Sequence, residues 1–290
     1  MKYGLAAQCA VAASLLLFAL AAPALAEEKG TLDKIRDKGV IHLGYRETSR
    51  PFSFVGPDGQ PAGYSVELCR KVSTMLKSMI GLTELKLNWV PVTPADRATK
   101  IANGTIDLEC GSTTVTFDRM RQVGFSHMTF VDGGSILATA SSGIRGVKDL
   151  NGKRVGLIPN TTTEKSLATV LATLSVKPQI IAVAEHRDGL LGLEAGRLDA
   201  YASDHLLLAG LLATAKDPAA LKLSDNYFSY EPYALMLRRG DINFQIQVDR
   251  ALSALYRSGA IVEIYEQSFG SFNDISPLMR SLYLLHSWPD

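Results

Sequence analysis

The chain has 290 residues, 47% hydrophobic and 20% charged, with a formal net charge of +1. That composition excludes a disordered or fibrous chain and allows one large or two medium globular domains. Near-neutrality also withholds the basic footprint that nucleic-acid binding requires.

Residues 1–26 read as a signal peptide. Lys2 is followed by the apolar run 9–22 and then by Pro23-Ala24-Leu25-Ala26. Small residues at Ala24 and Ala26 suit cleavage after Ala26, and the charged Glu27-Glu28-Lys29 follows at once. An uncleaved membrane anchor is the competing reading, but the run is short for a span. Export to the periplasm would leave two cysteines, Cys69 and Cys110. An even pair in an exported chain suggests a disulfide across 41 residues. Two buried free thiols are the alternative, because Cys69 falls on the apolar face of a helix.

The elements follow in order. A short polar helix is predicted over 33–39. The strand over 40–45 delivers Arg46 at its C-terminal end. Pro57-Asp58-Gly59 is a turn. The spacing of Leu68, Val72, Met75 and Met79 predicts a helix over 63–79, and 85–90 alternates like a strand. Pro94 opens a helix where its missing N–H costs nothing, Arg97 lies near the start, and Gly104 closes it. A buried strand over 106–110 ends at Gly111, which permits a sharp turn. Ser112, Thr113 and Thr114 then offer hydroxyls and backbone N–H groups ahead of a short helix carrying Arg119. Such a turn suits a small anion, and Arg119 adds a fork matched to a carboxylate. An N-cap followed by a solvated arginine explains the same residues.

Near residue 135 the alternation restarts. Strands are predicted over 135–140, 154–158, 179–184 and 198–202, with helices over 163–174, 186–195 and 205–212. A further strand spans 233–237, and 242–258 is an amphipathic helix. The last helices are expected to cover the first unit. The pattern predicts an α/β chain of two lobes, each a mostly parallel sheet flanked by helices. Lobe 1 comprises 27–138 and 235–290, and lobe 2 comprises 139–234. Ligands of such sheets sit beyond the carboxyl ends of the strands, where Arg46 and the 111–114 turn lie. Two crossings, near 135–141 and 231–238, would form a hinge.

Several segments together carry a resemblance. They are Gly30-Thr31-Leu32-Asp33-Lys34-Ile35, Gly44-Tyr45-Arg46-Glu47-Thr48-Ser49 with Pro51-Phe52-Ser53, and Asn103-Gly104-Thr105. They continue with Asp107-Leu108-Glu109-Cys110-Gly111-Ser112-Thr113-Thr114, Phe125-Ser126, Leu150-Asn151-Gly152-Lys153 and Leu193-Glu194-Ala195-Gly196-Arg197. The chain resembles the periplasmic glutamate/aspartate-binding proteins of ABC transporters over residues 30 to about 270. The resemblance implies a two-lobed, type II periplasmic-binding-protein fold that closes on one amino acid and hands it to an inner-membrane permease, with no cofactor and as a monomer. It implies that Arg119, helped by Ser112 and Thr114, grips the α-carboxylate, and that Asp204 takes the α-ammonium. Arg46 and Arg97 would reach a side-chain carboxylate. Thr161, Thr162, Thr163 and His186 match further second-lobe contacts. Relatives tend to carry serine where this chain has Pro94.

The residues also make physical sense together. Burying two carboxylates and an ammonium requires each charge to be paired. Three arginines and one aspartate supply those signs, and a neutral amino acid would need only Arg119 and Asp204. Plainer readings compete. Arg46 pairs with Glu47 at the surface, Arg97 is solvated beside Asp96 and Lys100, and Asp204 and Thr161–Thr163 only cap helices. His186 is a surface histidine, or else its partial charge near neutral pH helps hold a carboxylate. A receptor for another polar amino acid and a periplasmic cyclohexadienyl dehydratase, using Glu109 or Glu47 as acid/base, are the alternative functions. The five histidines show no metal-ligand spacing.

Overall fold

The computed structural model describes residues 30–270 and 274–289. The signal-peptide reading of residues 1–26 lies outside the described residues. The strands are β1 (Val40–Tyr45), β2 (Thr48–Ser49), β3 (Ser53–Val55), β4 (Pro61–Ala62), β5 (Lys86–Pro91), β6 (Leu108–Glu109), β7 (Val123–Asp132), β8 (Gly134–Thr139), β9 (Arg154–Leu157), β10 (Gln179–Ala182), β11 (Ala200–Asp204), β12 (Leu221–Leu223) and β13 (Glu231–Arg238). The helices are α1 (Thr31–Lys38), α2 (Tyr64–Met79), α3 (Arg97–Ala102), α4 (Phe117–Met120), α5 (Thr162–Leu174), α6 (His186–Glu194), α7 (His205–Leu212), α8 (Ile242–Ser258), α9 (Ala260–Phe269) and α10 (Pro277–Leu285).

Two five-stranded sheets run β5-β1-β6-β13-β7 and β10-β9-β11-β8-β12, and β2-β3-β4 form a small third sheet. In the first sheet β1 pairs parallel with β5 and β6, whereas β13 is antiparallel to both β6 and β7. In the second, β9 pairs parallel with β10 and β11, and β8 is antiparallel to β11 and β12. Each sheet is therefore parallel except for one reversed strand. The reason is the chain path. β7 ends where β8 begins, one residue apart across Gly133, and β13 begins the return. A strand that enters its sheet from the shared edge runs away from that edge, while the others run toward it. β8 lies wholly in the second sheet and β13 wholly in the first. The chain thus changes sheets at Gly133 and between Leu223 and Glu231, a few residues before the expected 138/139 and 234/235 boundaries.

The largest buried cluster unites β1 with α2, α8, α9 and α10 through Leu43, Leu68, Val72, Leu252, Ile261 and Leu282. The last helices do cover the first sheet. A disulfide joins Cys69 of α2 to Cys110, with Cα atoms 6.1 Å apart. It ties α2 to the residue that follows β6, immediately before the 111–114 turn. Among the described residues, no helix is long and apolar enough to cross a membrane.

Candidate functional site

The carboxyl ends of β1, β5, β6, β9 and β11 converge on one cavity of about 40 Å³. All ten residues singled out from the sequence line it: Arg46, Arg97, Ser112, Thr114, Arg119, Thr161, Thr162, Thr163, His186 and Asp204. Ser49, Pro94, Ile158, Tyr201, Ala202, Ser203 and Leu207 complete the wall.

Arg46 leaves the end of β1 and is only 2% exposed. Its partner is not Glu47, which is exposed, but Glu185, whose Oε2 lies 2.5 Å from Arg46 Nη2. Arg46 Nε is buried with no hydrogen-bond partner. Arg97 is 7% exposed, so the solvated reading is overturned. The preceding turn explains its aim. Thr93 and Asp96 exchange hydrogen bonds, so α3 starts at Arg97 rather than at Pro94. Asp96 then pairs outward with Lys100 at 2.9 Å, while Arg97 turns inward. Burial pulls the Arg97 guanidinium down to about 10, against the opposing pull of Glu109. Glu109 is fully buried, lies 3.7 Å from Arg97 Nη1, and accepts from Thr113 Oγ1 at 2.7 Å. Glu47 lies away from the cavity wall, and Glu109 sits behind Arg97.

The 111–114 turn departs from expectation in one respect. The helix after it is a single turn, α4, and its cap is Thr116, whose Oγ1 accepts from the Arg119 N–H. A helix that short adds little dipole. What remains is the turn itself and Arg119, whose Nη1 donates to the Thr114 carbonyl at 2.7 Å. A Cβ at residue 111 would run into the Glu109 carboxylate, which is fully buried and held by Thr113 and so has little room to give way.

On the opposite wall, Asp204 ends β11. Its side chain makes no cap bond to α7; Asp132 takes the Leu206 N–H instead. Asp204 accepts from Thr163 Oγ1 at 3.0 Å and from the Tyr233 hydroxyl. Tyr233 comes from β13, its ring set edge-on against Phe52 with centroids 5.2 Å apart. Burial, with Glu231 nearby, pushes the Asp204 carboxyl up to about 7. Thr161 does cap α5, by accepting from the Glu164 N–H, but Thr162 Oγ1 reaches across to Glu231 at 2.7 Å. Glu231 also accepts from Thr114 Oγ1 at 2.6 Å, so it knits the two walls together.

His186 overturns one expectation. It is buried, its Nδ1 lies 2.8 Å from the Tyr201 hydroxyl, and desolvation plus Arg46 and Arg97 pull it down to about 3. It is neutral at neutral pH and offers hydrogen bonds, not charge. The expectation of a lone acid among the arginines also fails, since Glu109, Glu185 and Glu231 each stand near one or more of them. Sequence reading missed Glu185, Glu231 and Tyr233 as site residues. A lone acid opening the apolar strand β13, and another immediately before His186, were the available signals. Among the described residues, no group of three or more His, Cys, Asp or Glu could hold a metal.

The model of the bacterial extracellular solute-binding proteins, family 3, matches residues 41–271. The chain belongs to that family. Within curated proteins, it is 39% identical to the L-glutamate/L-aspartate-binding protein of Pseudomonas aeruginosa, over 86% of this chain and 83% of that one. It is 34% identical to the glutamate/aspartate import solute-binding protein of Salmonella typhimurium, over 82% and 79%. Among solved structures, it resembles an ancestral arginine-binding protein bound to arginine (TM-score 0.72, 26% identity, covering 80% of this chain and 99% of that one). It also resembles the ancestral amino acid-binding protein AncCDT-1, a precursor of cyclohexadienyl dehydratase (TM-score 0.73, 25% identity, 82% and 99%). As a solute-binding protein it has the two-lobed type II architecture expected from its alternating elements.

Proposed function

We propose that this solute-binding protein is the periplasmic receptor of an amino-acid ABC importer and that its cleft binds L-glutamate or L-aspartate. Its two lobes would close on the ligand and present it to the inner-membrane permease as a monomer without catalysis. Export would follow cleavage after Ala26.

One observation carries the reading. Arg46 and Arg97, 2% and 7% exposed, line the same cavity as Arg119 and Asp204. Arg119, Ser112 and Thr114 suit the α-carboxylate, and Asp204 suits the α-ammonium. Arg46 and Arg97 then remain for a second carboxylate, because a neutral side chain would leave Arg46 with a buried, unpartnered Nε and Arg97 with only a long contact to Glu109. The neighbouring glutamates temper this surplus. However, Arg97 has Glu109 only at 3.7 Å, a weak pairing that an incoming carboxylate can better. Thr161, Thr162, Thr163 and neutral His186 complete the hydrogen bonding of the ligand. The names of the two curated relatives agree with an acidic ligand.

Calorimetry on the purified mature protein tests this. Micromolar or tighter binding of L-glutamate or L-aspartate, about −8 kcal/mol or better, is expected. Binding of glutamine or arginine with no response to either acidic amino acid would overturn it.

A further inference from the structure

Glu185 precedes α6, on the second-sheet side of the cleft. Its Oε2 accepts Arg46 Nη2 at 2.5 Å and Thr48 Oγ1 at 2.7 Å. Both donors belong to the segment that leaves β1, on the opposite wall. The Glu185 backbone N–H donates to Asp188 Oδ2 at 3.0 Å, which fixes the root of the carboxylate at the start of α6. Glu185 does not line the cavity; Arg46 does. The guanidinium is thus divided. One nitrogen is held by the opposite lobe, while Nε is buried with no partner.

A long arginine side chain must be ordered before it can present two donors to a carboxylate. Glu185 performs that ordering, and it can do so only when the two walls are together. We propose that Glu185 is a positioning and specificity-determining residue: reaching from the second lobe, it clamps Arg46 so that the arginine reads a side-chain carboxylate only on closure. The inference rests on the proposed acidic ligand. Reading a charge through a contact made at closure places the discrimination in dissociation rather than in encounter.

Wild type, Glu185→Gln and Thr48→Val are titrated with L-glutamate and L-glutamine by calorimetry, with glutamine followed by displacement and L-glutamate rates by stopped flow. Glu185→Gln keeps the size and the start of α6 but removes the charge. It is expected to weaken L-glutamate about 10-fold through faster dissociation and to leave L-glutamine within about twofold. Thr48→Val leaves α6 untouched, which guards against a folding defect. It is expected to cost about threefold with the same bias. A glutamate-to-glutamine ratio that stays within about twofold of wild type in both variants overturns the role assigned to Glu185, while the acidic-ligand reading stands. Wild type that ignores L-glutamate overturns that reading, and the role of Glu185 falls with it.

Discussion

On the first-sheet side of the cleft, Arg46, Arg97 and Arg119 face the cavity; on the second-sheet side, Asp204 is joined by three threonines and a neutral histidine. The cationic wall grows from strand ends that the disulfide pins from behind, through Cys110 beside the 111–114 turn. The other wall has no such pin among the described residues, and its Asp204 is instead held by Thr163 and by Tyr233 from β13. The difference teaches how a dipolar ligand would couple to closure. On the proposed reading its anionic groups would meet one wall and its ammonium the other, so only the closed form would satisfy both. Glu185 and Glu231 tie the walls directly: Glu185 accepts from Arg46 on the first-sheet side, and Glu231, which opens β13 of the first sheet, accepts from Thr162 on the second.

The largest way to break the comparison is at Asp204. Asp204→Ala leaves a buried ammonium without its counter-charge, and a loss of about 3–4 kcal/mol, about two to three orders of magnitude in Kd, is expected. Calorimetry that finds the affinity within a few-fold of wild type removes Asp204 from the second wall's role. The next effect sharpens the asymmetry of support. Replacing Cys69 and Cys110 by alanine, or reducing wild type, should cost about 2–4 kcal/mol of unfolding free energy, read from denaturant curves. A change under about 0.5 kcal/mol would mean that the pin does not stabilise the cationic wall.

Arg97 tests the surplus of positive charge. Arg97→Met strips Glu109 of its cation, so the paired variant Arg97→Met/Glu109→Gln is the cleaner probe. Both should lose about 100-fold for L-glutamate and far less for L-glutamine. Equal losses for the two ligands would show that Arg97 is structural.

The smallest effect is a pH dependence. Asp204 sits at about 7 because burial and Glu231 favour its protonated form. A bound ammonium favours the ionised form, so its pKa is lower in the complex and binding releases a proton. Affinity should therefore be flat above about pH 7 and fall by up to about tenfold per unit below it. His186, already neutral, adds nothing in that range. Titrations from pH 5 to 8 in two buffers of different ionisation enthalpy read the released proton directly. A flat profile would place the bound ammonium away from Asp204.

Much of this was readable along the chain. Alternating apolar periods place β1, β5, β9 and α2, and the strand-end rule puts Arg46 and the 111–114 turn at the cleft, whereas Asp204 is indicated only by the family resemblance. The small β2-β3-β4 sheet was missed, since its strands are two or three residues long and carry no period. The single-turn α4 carries the N-cap signature of a helix able to support an anion, but that signature does not report how far a helix continues.

By itself, the sequence determined the alternation of elements, the positions at which polar residues end apolar strands, and the signs of the charges placed there. These depend on local spacing and on residue chemistry alone. Only the tertiary structure decided which charges pair. Arg46 meets Glu185 across 139 residues and Thr114 meets Glu231 across 117, distances at which no local period carries information. Only burial decided that Arg97 turns inward and that His186 stays neutral, because the cost of a charge is set by how much water the fold removes around it.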